Sequence, residues 1–233
     1  MLETELYEPI KKYFEKQGYV VKGEVKGCDV VLARDGQMSV VELKKSFNMT
    51  LLYQALDRKK LAGTVYIAIP RRVFMKNRGH ITYILEKLDV GLIIVAMDSP
   101  LHSVDVVFVP KEGRSRNNAR SRALTAEMAG RTFDGNVGGS ARKKLLTAHR
   151  ERNIHIACVL EKIGHAKPAQ LVKEFGCHKN TGQTLLRNIY GWFEKTAVGT
   201  YGLSGAGIEA LDDAQFAEII EYYRNNIAGG DDV

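Results

Sequence analysis

Cysteine is scarce in this chain. The three residues, Cys28, Cys158 and Cys177, are scattered, odd in number and without a Cys-x-x-Cys pair. That excludes a disulfide framework and a structural zinc site, and it fits a reducing cytoplasm. Long apolar runs are lacking too. The longest, Val90 to Met97, is interrupted by Gly91 and falls far short of the ~18 residues that cross a membrane, so no membrane partner is expected. The opening MLETELYEP is acidic where a secretory signal would be basic and then apolar. Glycine-rich phosphate loops, serine-nucleophile elbows, nucleotide fingerprints and internal repeats are missing as well, which removes several common enzyme classes. A content of 45% hydrophobic and 26% charged residues leaves a cytoplasmic globular protein.

Positive charge is in excess, and it is local. The net charge is +7, and residues 111–152 account for all of it, with eleven Lys and Arg against four Asp and Glu. Such a stripe attracts polyanions, nucleic acid first among them, or serves as a solvated linker.

Hydrophobic spacing gives the organisation. Leu6, Tyr7, Ile10, Tyr13 and Phe14 predict a helix over 4–17 that Gly18 closes. The period then changes to two: YVVKGEV, DVVLARD and MSVVELK read as strands, with Asp35-Gly36 as a tight hairpin turn. A helix over about 49–62 follows, then buried strands at 64–70 and 91–97 with helical GHITYILEKL between them, and a further strand at 104–110. The expected class is α/β, with a mixed sheet between helical layers over residues 1–112. Residues 113–145 read as a basic connector with a short helix at SRALTAEMAG, and 146–233 as a mainly helical domain.

The hairpin poses the chemical question, because apolar strands rarely carry unpaired charge. Period two puts Glu42 and Lys44 on one face of the strand VVELKKS, and the turn brings Asp29 roughly opposite them. At 100° per residue Glu3 projects with Leu6, Ile10 and Phe14 toward the sheet, while Glu5 and Glu8 point away. Converging carboxylates form a hard-oxygen site for Mg2+ or Mn2+, and a lysine beside them can hold water against a phosphate. Glu-x-Lys alone would read as a surface salt pair.

Asp29 followed by Glu42-x-Lys44 on the next strand, behind an acidic N-terminal helix, resembles the PD-(D/E)XK nuclease superfamily. LETELYEPIKKYFEKQGYVVKGEV, CDVV, VVELKKSF and LLYQALDR together resemble an uncharacterised bacterial family of PD-(D/E)XK phosphodiesterases, closely over residues 1–110 and extending into the second half. The resemblance implies a restriction-endonuclease-like α/β/α sandwich. It also implies that Asp29 and Glu42 bind Mg2+ or Mn2+, with Glu3 as the helix carboxylate and Lys44 as the catalytic lysine. Gln54 matches a polar residue that supports such sites, and otherwise reads as a helix-surface glutamine. Cys28-Asp29 replaces the motif's literal Pro-Asp. Arg58, one turn beyond Gln54, could contact phosphate or pair near Asp57.

In the C-terminal half, three close helices and the ribbon GTYGLSGAG resemble a winged helix-turn-helix. The third helix, expected over 181–195, would present Gln183, Thr184, Arg187 and Asn188 to DNA. Lys195 lies at its end, and Tyr201 near the ribbon tip could reach the nucleic-acid backbone. Cys177-His178 reads as structural and Trp192 as core. An exposed last helix would suit a homodimer. Two functions are consistent with these features: a metal-dependent DNA phosphodiesterase, or a DNA-binding or regulatory protein on an inert nuclease fold.

Overall fold

The computed structural model describes residues 2–98, 102–111, 119–139 and 144–227. The chain divides into two compact units, Met1–Leu145 and Leu146–Val233.

The first unit opens with a 3-10 turn, Glu3–Leu6, that runs into α1, Tyr7–Glu15. Three strands follow: β1 Val20–Val25, β2 Cys28–Arg34 and β3 Gln37–Leu43. Asp35 and Gly36 both have positive φ, 52° and 75°, the conformation that a two-residue turn needs to match the twist of its strands. Next come α2 Met49–Arg58, β4 Thr64–Pro70, α3 Arg71–Lys76, α4 Arg78–Leu88, β5 Gly91–Val95, β6 Val104–Phe108 and α5 Ala119–Gly130. The six strands form one mixed sheet in sequence order. Pairing is antiparallel from β1 to β3, parallel from β3 through β4 to β5, and antiparallel again at β6.

Alternation along the strands fills two layers. Val30, Leu32, Val41 and Leu43 pack with Leu6, Tyr7, Ile10 and Phe14 of the N-terminal helix. Val65, Ile67, Leu92 and Ile94 pack with Leu51, Leu52 and Ala55 of α2 and with Ile81 and Leu85 of α4. Val31 and Val40 meet Leu124 and Met128 of α5. Each fully buried Leu or Ile of this kind contributes about 2 kcal/mol.

The basic stretch expected as a connector differs from that reading where it is described. Residues 113–118 and 140–143 lie outside the described residues. Between them, α5 buries Leu124 and Met128 against the sheet, and Arg131 is only 1% exposed. Charge and glycine content suggested a linker because the apolar contacts are few and widely spaced.

The second unit contains α6 Ala148–Ile163, β7 His165–Ala166, α7 Pro168–Phe175, α8 Thr181–Arg187, β8 Phe193–Ala197, β9 Thr200–Leu203, α9 Gly205–Ala210, a 3-10 turn Ala214–Phe216 and α10 Ala217–Asn226. A small antiparallel sheet has the order β7-β9-β8. Pro168 begins α7 and Gly176, in the left-handed conformation, ends it, the expected proline-in, glycine-out arrangement. The third helix is shorter than its apolar pattern predicts. It stops at Asn188, which takes φ 42°, and residues 193–195 join β8 instead. Among the described residues no helix is long and apolar enough to cross a membrane.

Candidate active site

The charges of the hairpin gather at the carboxyl end of β3. Val30 pairs with Val41, so Asp29 falls one step further along, level with Glu42. Asp29 Oδ2 accepts the Leu43 N–H at 2.8 Å, which pins its carboxylate beside the backbone between Glu42 and Lys44. The Lys44 N–H donates to the Ala68 carbonyl at 3.0 Å, extending the β3–β4 pairing one residue. Its ammonium reaches Glu3 Oε2 at 2.9 Å. Glu42 is 1% exposed, and its Oε1 accepts Arg58 Nε at 2.7 Å. Arg58 also donates Nη2 to the Gly27 carbonyl.

Electrostatics make this an uncomfortable place for carboxylates. Burial and then the neighbouring Asp29 charge push Glu42 up to about 7, against the hydrogen bond and charge of Arg58 and the charge of Lys44. Asp29 is also raised, chiefly by burial and partly by Glu3, despite the Leu43 N–H and Lys44. Burial works against the Lys44 charge, yet the Glu3 hydrogen bond and the surrounding carboxylates hold its pKa above the ordinary lysine value. Cys28 is buried beside them with its thiol pushed up to about 12, mainly by desolvation, so it is an inert neighbour rather than a nucleophile.

Gln54 lies one turn before Arg58 on α2. It is half-buried, and among the described residues its buried Oε1 has no hydrogen-bond partner. A desolvated carboxylate pair with raised pKa values fits a hard cation. The expected trio of ligands does not assemble, however. Among the described residues no group of three or more His, Cys, Asp or Glu side chains is placed to hold a metal. Glu3 is engaged by Lys44 and Glu42 by Arg58, and Asp29 and Glu42 are the two carboxylates level with one another on adjacent strands.

In the second unit only some of the side chains expected to face outward do so. Gln183, Arg187 and Lys195 are exposed. Thr184 is 5% exposed, and its hydroxyl donates back to the Asn180 carbonyl at 3.2 Å. Asn188 donates Nδ2 to the Phe193 carbonyl at 2.7 Å and accepts the Phe193 N–H at 3.2 Å, closing α8 onto β8. Helical spacing over 181–195 placed both outward; Thr184 instead lies on the buried face of α8 and bonds back one turn, and the early end of α8 turns Asn188 into its cap. Tyr201 is buried on β9, whereas Val198 at the ribbon tip is 98% exposed. The last helix uses Ile219 and Ile220 inside the unit, against α6.

Comparison with known proteins bears on the whole chain. Residues 93–210 match the model of a family described as "Putative PD-(D/E)XK phosphodiesterase (DUF2161)". The chain belongs to this family. No curated protein matches it. One solved structure, the "SPO1766 protein of unknown function" from Silicibacter pomeroyi, matches with 18% identity over 53% of this chain and 81% of that one, at a TM-score of 0.40.

The stretch matched to the phosphodiesterase family starts at Ile93, in β5, and includes none of Glu3, Asp29, Glu42, Lys44 and Gln54. The close resemblance read over residues 1–110 therefore overlaps it only at 93–110. The matched stretch does include residues that sequence reading missed. Asp134 accepts the Tyr7 hydroxyl at 2.8 Å, the Lys11 ammonium at 2.6 Å and the Gly23 N–H at 3.1 Å. Lys22 donates to the Met128 carbonyl at 2.8 Å and to that of Arg131, and Arg131 donates to the Gly23 carbonyl at 3.2 Å. Glycine is needed at 138, where a Cβ would come within 2.5 Å of the Asp29 carbonyl oxygen. Residues 134–138 therefore run from the β1 edge to Asp29. The cluster Asp-Gly-Asn-Val-Gly-Gly was the available signal, but it also reads as a linker.

Proposed function

We propose that this chain is a metal-dependent phosphodiesterase acting on DNA, with its reaction centre at Asp29, Glu42 and Lys44. The observation that carries the reading is the hydrogen bond from the Leu43 N–H to Asp29 Oδ2. It fixes a half-buried carboxylate beside a buried one and next to an ammonium, at the end of a central strand. Asp29 and Glu42 would hold Mg2+ or Mn2+, with the Gln54 amide oxygen close by. The ion would supply an acidified water and charge neutralisation at the phosphoryl group. Glu3 keeps Lys44 oriented, and the Lys44 ammonium stabilises the negative charge that grows as the phosphodiester is attacked. Family membership supports the reaction class.

DNA as substrate rests on charge. Residues 146–233 hold nine Lys and Arg against eleven Asp and Glu, so the whole positive excess belongs to the first unit. The polyanion would thus be drawn to the unit that contains the reaction centre. The second unit, read as winged-helix-like, would add local contacts through Gln183, Arg187 and Lys195. A non-catalytic DNA-binding platform is the second reading, favoured by the Arg58–Glu42 ion pair at 2.7 Å. Cleavage of linear, branched and single-stranded DNA with Mg2+ or Mn2+ separates the two. Lys44→Ala should lower the rate by about 10²–10³-fold, the usual cost of losing one transition-state donor, with folding unchanged. No cleavage of any substrate by the wild type would leave the platform reading.

A further inference from the structure

Arg58 is the residue that neither the sequence motif nor the proposed reaction accounts for. It is the last residue of α2, where the helix C-terminus favours a cation. Its guanidinium is bound on two sides, by Glu42 Oε1 and by the Gly27 carbonyl. Lys44, the other cation near this carboxylate pair, is committed to Glu3. Arg58 therefore occupies Glu42 Oε1, one of the two oxygens through which Glu42 could hold a divalent ion.

We propose that Arg58 is the resident counter-cation of this site, which a divalent ion must displace from Glu42, so that Arg58 sets the metal affinity of the chain. The proposal rests on the metal reading above. Two cations cannot both hold one carboxylate oxygen at full strength, and the ion that binds forfeits the energy of the guanidinium contact. Arg58 thus keeps the metal-free site neutralised and weakens binding of free ions. Once displaced, its charge keeps only the longer ion pair with Asp57 at 3.8 Å.

The test is Mn2+ titration of the full, metal-stripped chain at about pH 8, followed by calorimetry, for the wild type and for Arg58→Gln and Arg58→Met. Both variants should bind Mn2+ about 10- to 100-fold more tightly, the range expected for losing one charge-assisted hydrogen bond. Equal or weaker binding in the variants, with the wild type binding, overturns the proposal and leaves the metal reading in place. Absence of Mn2+ binding in all three overturns both. If a variant is unfolded in EDTA, recovery of a cooperative melt on adding Mn2+ supports the proposal. A chain that stays unfolded at saturating Mn2+ overturns it.

Discussion

The first unit buries charge in two places and treats it differently in each. At the β1 edge Asp134 receives three donors, two on Oδ2 and one on Oδ1, from Tyr7, Lys11 and the Gly23 backbone. Lys22 and Arg131 are directed to backbone carbonyls across the same seam. At the end of β3 each carboxylate has a single donor. Asp29 has one backbone N–H, Glu42 has one guanidinium, both are raised in pKa, and the Gln54 amide oxygen one turn before Arg58 has no partner among the described residues. A carboxylate supplied on both oxygens, like Asp134, fixes a segment of chain, whereas one supplied on a single oxygen is poised to take a further partner. Composition does not separate the two; the ratio of donors to acceptors does.

That contrast can be broken from either side. The largest effect should come from Asp134→Ala, which strands the Tyr7 hydroxyl and the Lys11 ammonium at a partly buried seam. Urea unfolding of the first unit should show a loss of about 3 kcal/mol, with Mn2+ binding unchanged. A loss under about 1 kcal/mol would mean that the seam is not the strut described here.

A smaller and opposite effect is expected at Glu42. Its folded pKa, about 7, lies above the ordinary glutamate value of 4.5, so the folded state holds a proton that the unfolded chain releases. Stability attributable to Glu42 is therefore greatest below about pH 4.5 and falls as pH rises toward 7. In EDTA, Glu42→Gln should flatten that decline and melt above the wild type at pH 8. The glutamine oxygen can still accept from Arg58 Nε. A wild-type chain whose stability rises through this window relative to Glu42→Gln would contradict the assignment.

Much of this was legible before any coordinates. Period-two runs bounded by Asp35-Gly36 placed β2 and β3, and the register that follows brings Asp29 level with Glu42. The direction of Glu3 followed from helical spacing, and its contact with Lys44 did not. Arg58 was noticed without its partner, because a helix-end arginine and a strand glutamate sixteen positions apart meet only when α2 packs on the sheet. The helix expected at SRALTAEMAG is α5, but the packing of residues 119–139 was not legible, because their apolar anchors, Leu124 and Met128, are sparse and a chain that binds a strand edge through polar bonds has no hydrophobic period. The length of α8 was overestimated for a related reason. Leu185 and Phe193 are both buried at near-helical spacing, but a left-handed Asn188 separates them, and residue type alone does not reveal that turn.

Whether the β3-end carboxylates hold a metal is open to direct measurement. Mn2+ binding to the metal-stripped full chain can be followed by electron paramagnetic resonance in the wild type, Asp29→Asn and Asp134→Ala. The account predicts a bound ion in the wild type and in folded Asp134→Ala, and binding weakened at least about tenfold in Asp29→Asn, a loss of 1.4 kcal/mol or more. Identical binding by Asp29→Asn and the wild type would contradict it.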